Sequence, residues 1–194
     1  MRGKFIVLEG IDGSGKSTQA KKLSSWLETR TNMPTISTYE PNIFRELLLN
    51  HTLNELTEVL IFLADRSEHS SRIILPSLEA GKNVICERWN ASTLAYQALP
   101  IVPNLISLCK FPIPDAEIYL DISPEEAFAR IRKRGKFTDK YEAQGLSYLT
   151  EVLSRYREIA NSQGMTIINC DVKSEEEIFT EIAGKIEAII CQSR

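Results

Sequence analysis

Short, unbroken apolar runs alternate along the chain with longer stretches whose apolar residues recur every three or four positions. Lys4–Leu8, Asn83–Cys86, Glu117–Ile122 and Met165–Asn169 are runs of the first kind. They lack polar alternation, which suits strands covered on both faces of a parallel sheet. Thr35–Thr38 is a weaker fifth candidate. The periodic stretches between them predict helices. Lys16–Arg30 follows the first strand, and Leu53–Leu75 reads as one long helix stopped by Glu79-Ala80-Gly81. Ser123-Pro124-Glu125-Glu126 predicts a helix start, with Ser at the N-cap, Pro at N1 and Glu at N3. Leu149, Val152, Leu153, Tyr156, Ile159 and Ala160 mark a further helix. Ser174-Glu175-Glu176-Glu177 is a capping box, followed by Ile178, Phe179, Ile182, Ile186, Ile189 and Ile190 at helical spacing. Pro100, Pro103, Pro112 and Pro114 predict a broken helix and loop. Strands alternating with helices predict an α/β three-layer sandwich with a five-stranded parallel sheet and right-handed crossovers.

Composition narrows the class. A chain of 194 residues, 43% hydrophobic and 25% charged, is expected to form one globular domain, residues 1–194, with a short lid. A net charge of −3 argues against a broad grip on nucleic acid, though a cationic pocket for a small anion remains compatible with it. No apolar run approaches the ~20 residues of a membrane span. Glu9 and Asp12 interrupt the first run too soon for a signal peptide. Cys86, Cys109, Cys170 and Cys191 are scattered without a CxxC pair, so they are expected to be reduced, mostly buried thiols of a cytoplasmic protein.

The first chemistry lies directly after the first strand. Gly10-Ile11-Asp12-Gly13-Ser14-Gly15-Lys16-Ser17 fits GxxxxGK[ST] at every fixed position, between a predicted strand and a predicted helix. Glycines allow the backbone to turn its N–H groups onto phosphate oxygens, and the helix that opens at Lys16 adds its positive end. Gly10, Ile11, Asp12, Gly13, Ser14, Gly15, Lys16, Ser17 and Thr18 are therefore the expected ATP-binding residues. Lys16 is expected to reach the β- and γ-phosphates, and Ser17 to hold Mg²⁺. This predicts a P-loop containing nucleoside triphosphate hydrolase fold. No NKxD motif of a GTPase is present, which points to a small kinase.

Other residues describe the acceptor. Phe62 and Arg66 lie one turn apart on a predicted helix, so one face can stack on a base and donate to its carbonyl edge. His69, on the same face, reads as a structural, hydrogen-bonding histidine. Glu87 at the end of a buried strand can hold Mg²⁺, and the adjacent Arg88 can clamp a phosphate. Arg130, Arg132, Lys133, Arg134, Lys136 and Lys140 form a basic run where a transfer reaction needs mobile cations.

Six segments in order resemble the thymidylate kinase family. They are FIVLEGIDGSGKSTQ (5–19), YEP (39–41), TEVLIFLADRSEH (57–69), LEAGKNVICERW (78–89), STLAYQ (92–97) and RKRGKFTDKYE (132–142). The resemblance implies ATP-dependent phosphorylation of dTMP to dTDP with Mg²⁺, in a homodimer. It implies that Phe62 stacks on thymine, that Arg66 donates to its O4, and that Tyr96 packs beneath the deoxyribose. Ser92, Thr93 and Gln97 match the substrate-lining segment, with Thr93 or Gln97 facing N3 of the base. Asp12 shares the metal and acceptor-positioning role, and Glu40, Arg45 and Arg88 belong to the acceptor side. The lid spans about 132–142 and supplies Arg132 and Arg134, with Asp139 and Glu142 orienting or screening them. The implied catalytic set is Asp12, Lys16, Glu87, Arg88, Arg132 and Arg134, with Ser17 and Glu87 at the metal.

The chain departs from the family's pattern at three places. Glu87 stands where Asp is usual, and Tyr39 where a basic residue is usual. The Gly-Gly-Thr stretch that ordinarily follows Glu-Pro is missing before Arg45. Two other readings fit parts of the sequence. A deoxynucleoside kinase also carries Glu-Pro and Glu-Arg motifs, but its uncharged acceptor has less use for Arg45 and Arg88. A catalytically silent nucleotide-binding protein would explain the shortened loop, but not the intact phosphate loop and basic run.

Overall fold

A computed structural model of the protein describes residues 2–133 and 145–191. Five strands pair in parallel in the order β2-β3-β1-β4-β5: β1 (Phe5–Glu9), β2 (Thr35–Tyr39), β3 (Asn83–Glu87), β4 (Ala116–Asp121) and β5 (Thr166–Asn169). All five residues of β1 are buried, as an uninterrupted apolar run between two neighbouring strands requires. Phe5, Val7, Val84 and Cys86 cluster with Ile74, Leu78 and Trp89. Ile6, Leu8, Ile85, Ile118 and Leu120 belong to the main core with Ala20, Leu23 and Leu27. Helices flank both faces of the sheet, giving the expected three-layer sandwich.

The helices are α1 (Lys16–Thr31), α2 (Arg45–Asn50), α3 (Glu55–His69), α4 (Leu75–Glu79), α5 (Asn90–Tyr96), α6 (Val102–Cys109), α7 (Pro124–Lys133), α8 (Leu146–Gln163) and α9 (Glu175–Cys191). The single helix expected over Leu53–Leu75 is instead α3 and α4 joined by a π-helical turn, Ser70–Ile74. The reason is Pro76, whose ring crowds the preceding turn and which has no N–H to donate. The turn widens ahead of it, so that the Leu75 amide bonds back to Ser70. The proline-rich stretch holds α6, closed by Lys110 in the left-handed conformation.

The two predicted helix starts differ in chemistry. The Ser123 hydroxyl donates to Asp171 at 2.9 Å instead of capping its own helix. Ser174 forms the full box: its N–H donates to Glu177 at 2.8 Å, and the Glu177 amide donates to its hydroxyl at 3.3 Å. Cys86 and Cys170 are buried free thiols, whereas Cys109 is exposed. Among the described residues, no helix is long and apolar enough to cross a membrane.

Parallel register brings the carboxyl ends of the strands together. Leu8 lies opposite Glu87, Tyr39 opposite Glu87, and Glu9 opposite Tyr119. An open parallel sheet binds its ligands at this edge. Ser174→Ala removes the box that starts α9 and is expected to lower unfolding free energy by about 1 kcal/mol. Urea denaturation should show a lower midpoint with an unchanged slope; an unchanged midpoint would show that the cap contributes nothing.

Candidate active site

The loop from β1 to α1 is built by its glycines. Gly13 has φ +83°, and a Cβ there would lie 2.5 Å from the Ala127 carbonyl oxygen. A side chain would therefore collide with α7 as well as strain the backbone. Gly15, with φ +96°, supplies no side chain at the N-cap of α1, and the first turn of α1 holds no acidic residue. The helix thus presents uncapped N–H groups and an unneutralised positive end. Asp12 through Thr18 line one cavity of about 850 Å³. Gly10 and Ile11, expected among the ATP-binding residues, are buried and do not line it. Their carbonyls instead tether the Lys16 ammonium at 2.9 Å each. Burial, and then the Arg88 charge, push the Lys16 amine down to about 8.

Ser17 and Glu87 meet across this edge, the hydroxyl donating to the carboxylate at 2.6 Å. The next residue, Arg88, has φ +73°, a strained conformation for a non-glycine side chain. Its guanidinium pairs with Asp12 and lies 5.1 Å from the centre of the Tyr96 ring. The Tyr96 hydroxyl also donates to Asp12 at 3.2 Å. Burial pushes the Asp12 carboxyl up, but Arg88 and Lys16 outweigh it and hold the group below the usual carboxylate range.

The acceptor wall rests on buried polar groups. Arg66 is 1% exposed and donates to Glu40 at 2.7 Å, Asn90 at 3.0 Å, and the Trp89 carbonyl and Thr93 hydroxyl at 2.9 Å. It also lies over the Trp89 and Phe111 rings. The expected base-reading arginine is therefore held rigidly, with four of its five N–H groups engaged among the described residues. Phe62 is half-buried and lines the same cavity. His69 is structural, as expected: its ring nitrogens contact the Thr38 hydroxyl at 2.8 Å and Glu40 at 3.2 Å. Gln97 donates to Glu58 at 3.3 Å, and Ser92, Thr93, Tyr96 and Gln97 all line the cavity.

Two carboxylates were not singled out from sequence. Glu9, fully buried at the end of β1, accepts from the Trp89 amide at 2.7 Å, the Ser92 amide at 3.1 Å and the Ser92 hydroxyl at 2.6 Å. It caps α5 from another element, and Tyr156 donates to it at 3.1 Å. Its only sequence signal is an acid closing an otherwise apolar strand. Asp65 accepts the Asn42 amide at 2.8 Å and the Phe44 amide at 2.6 Å. It thereby fixes the short connection leading to Arg45.

The basic run divides. Arg130 and Ile131 line the cavity beside Lys173 and Ser174, while Arg132 is exposed and does not line it. Arg134 and the lid candidates Lys136, Asp139, Lys140 and Glu142 lie outside the described residues. Helical spacing explains the division, since Arg130 and Arg132 are two residues apart and face different ways. Among the described residues, no group of three or more His, Cys, Asp or Glu side chains is arranged to hold a metal.

Known proteins agree with this geometry. The thymidylate kinase family model matches residues 8–182. The thymidylate kinase of Carboxydothermus hydrogenoformans is 37% identical, with the alignment covering 97% of this chain and 99% of that one. The thymidylate kinase of Prochlorococcus marinus strain MIT 9515 is 38% identical, over 100% and 99%. Among solved structures, the thymidylate kinase of Candida albicans superposes with a TM-score of 0.79 at 26% identity, covering 96% of this chain and 92% of that one. That of Ehrlichia chaffeensis gives a TM-score of 0.72 at 27% identity, covering 96% and 100%. A phosphate loop and an aromatic, cationic acceptor wall on one cavity, with near full-length likeness at this level, place the chain in the thymidylate kinase family, whose members use ATP to phosphorylate dTMP to dTDP.

Proposed function

We propose that this cavity seats both nucleotides of the family's reaction, ATP on the phosphate loop and dTMP between α3 and α5. The observation that carries the reading is that both sets of residues line one space of about 850 Å³. An oxygen of the dTMP phosphate attacks the γ-phosphorus, the bond from that phosphorus to the β–γ bridging oxygen breaks, and ADP leaves. The acceptor is already an anion, so the protein's task is positioning and charge stabilisation, without a covalent intermediate. Lys16 and the amides of residues 12–18 hold the β- and γ-phosphates. Arg88 and Arg45 hold the acceptor phosphate, and Asp12 keeps Arg88 in place. Phe62 stacks on the base, the remaining Arg66 N–H donates to its carbonyl, and Thr93 or Gln97 faces N3. Tyr96 packs beneath the sugar and disfavours a 2′-hydroxyl. Glu40 anchors Arg66. Arg132 and Arg134, the lid cations expected from the sequence, are proposed to supply further positive charge to the transferred phosphate.

Mg²⁺ fits the residues present. Ser17 and Glu87 offer two hard oxygen donors 2.6 Å apart beside the phosphate loop. Mg²⁺ characteristically takes one or two protein oxygens and completes its shell with phosphates and water. When bound, the ion would neutralise charge on the phosphate oxygens. The free thiols of Cys86, Cys109 and Cys170 suit a reducing cytoplasm. The chain is read as one catalytic domain. A second copy is proposed to cover the apolar surface of α3 and α6, where Leu56 and Leu60 are 47% and 49% exposed and Leu108 is 76% exposed.

Three measurements test these points. A coupled ADP-release assay should give kcat/KM for dTMP at least ~100-fold above thymidine, about 2.7 kcal/mol for the charged contacts to the acceptor phosphate. Activity with thymidine but none with dTMP overturns the reading. The second concerns protons. A Lys16 amine lowered from 10.5 to about 8 is mostly neutral at pH 8.5 in the free enzyme. ATP phosphates restore its charge, so binding at that pH should take up roughly 0.7 proton, seen by calorimetry in buffers of different ionisation enthalpy. Zero uptake would show that the Lys16 amine is already fully charged in the free enzyme and that burial does not lower it. For stability the sign follows from linkage: the unfolded chain binds more protons between pH 8 and 10.5, so this group's destabilising effect is complete below about 8 and is relieved on raising pH. The third is oligomeric. Leu60→Asp should convert a dimer to a monomer by light scattering; a wild-type monomer refutes the second copy.

A further inference from the structure

Arg45 differs from the other arginines of the acceptor side. Arg66 is paired with Glu40, and Arg88 with Asp12. Arg45 lines the cavity half-buried, and among the described residues no carboxylate lies within ion-pair distance of it. Its guanidinium lies 5.3 Å from the centre of the Tyr39 ring. A cation left without a counter-charge at a cavity wall is available to an anion. An arginine on a flexible stem must nevertheless be aimed to be useful, because its rotamer freedom opposes binding.

Two features of this chain supply the aim. The Asp65 carboxylate is fully buried and accepts the amides of Asn42 and Phe44 with its two oxygens. Phe44 is the residue before α2, and Arg45 is its first residue. The root of the arginine is therefore fixed from α3. Tyr39, at the end of edge strand β2, supplies a ring for the other end of the side chain. A ring face attracts a guanidinium and restricts it without neutralising it. That property separates the arrangement from a salt bridge, which would quench the charge.

We infer that Tyr39 and Asp65 are positioning residues that hold Arg45 ready for the acceptor phosphate, Asp65 through the backbone and Tyr39 through its ring. The inference rests on the reading of Arg45 as an acceptor-side cation. It further makes Tyr39 a determinant of acceptor affinity, although Tyr39 itself has no charge to offer a phosphate.

The test is steady-state kinetics with dTMP and ATP on Tyr39→Leu, Tyr39→Phe, Arg45→Ala, the Tyr39→Leu/Arg45→Ala double variant, and Asp65→Asn. Tyr39→Leu is expected to raise KM for dTMP ~3–5-fold, the scale of an exposed cation–π contact, with KM for ATP unchanged. Tyr39→Phe should restore the wild-type value. In the Arg45→Ala background, Tyr39→Leu should add nothing, since its effect passes through the arginine. Asp65→Asn should raise KM for dTMP ~10-fold by weakening two amide contacts. If that variant fails to fold, the Tyr39 and Arg45 cycle decides alone, because Tyr39 is 47% exposed. If Arg45→Ala raises KM for dTMP while Tyr39→Leu does not, the positioning role is wrong and the acceptor-site reading stands. If Arg45→Ala leaves KM for dTMP unchanged, the role of Arg45 falls and the inference with it. Equal losses toward both nucleotides would mean general damage to the fold and would also overturn the inference.

Discussion

The cavity wall formed by α3 and α5 depends on one buried ion pair, Glu40 with Arg66. The carboxylate is 3% exposed and the guanidinium 1%. Burying two charges is costly, and their mutual attraction offsets that cost only when the remaining donors and acceptors are also satisfied. Here they are largely satisfied. Arg66 spends further N–H groups on Asn90, Trp89 and Thr93, and Glu40 also contacts His69. The pair therefore joins the segment after β2, helix α3 and the start of α5. Loss of either partner would leave the other charged and buried, a cost of about 3–5 kcal/mol. Cavity-lining groups on three elements thus share a single electrostatic fastening.

Glu9 plays the corresponding part nearer the phosphate loop. It uses the same chemistry without a cationic partner: a buried carboxylate satisfied by two amides and two hydroxyls. Asp65 is satisfied by two amides. These acids explain how an acidic chain lines a cavity with cations. Two of its negative charges, Glu9 and Asp65, are occupied inside the framework, with lone pairs on backbone N–H groups. Lys16 and Arg45 instead face the cavity. Net charge is thus a poor guide to local potential when the acids are structural.

Much of the framework was legible in sequence. Unbroken apolar runs gave the central strands β1, β3 and β4, because a strand buried on both faces needs no polar side, whereas the edge strands β2 and β5 are only partly covered. The phosphate loop was legible because both fixed glycines of its pattern, Gly10 at φ +146° and Gly15 at φ +96°, hold conformations that L side chains rarely adopt. The capping box at Ser174 was legible because it is local. What escaped notice was non-local. Ser123 matches a cap by pattern, yet its hydroxyl goes to Asp171, forty-eight residues away. Asp65 carries no signal of its role, since nothing in α3 reveals that a distant loop brings it two amides. The π-helical turn escaped for a different reason: a proline such as Pro76 disturbs the turn before it, but only packing decides whether a helix breaks or widens.

The two side-chain departures from the family's pattern, Tyr39 and Glu87, are neighbours in space. They are register partners on β2 and β3, so both sit at the carboxyl edge of the sheet. A basic residue at position 39 would stand next to the carboxylate at 87 and compete with a metal ion for it. A tyrosine does not. Glu87 then reaches Ser17 directly at 2.6 Å, its extra methylene spanning the distance from β3 to α1. The ring that leaves Glu87 unneutralised also engages Arg45 without neutralising it. One uncharged aromatic residue at the end of an edge strand is thus compatible with both neighbours keeping their charge, the carboxylate for a cation and the guanidinium for an anion.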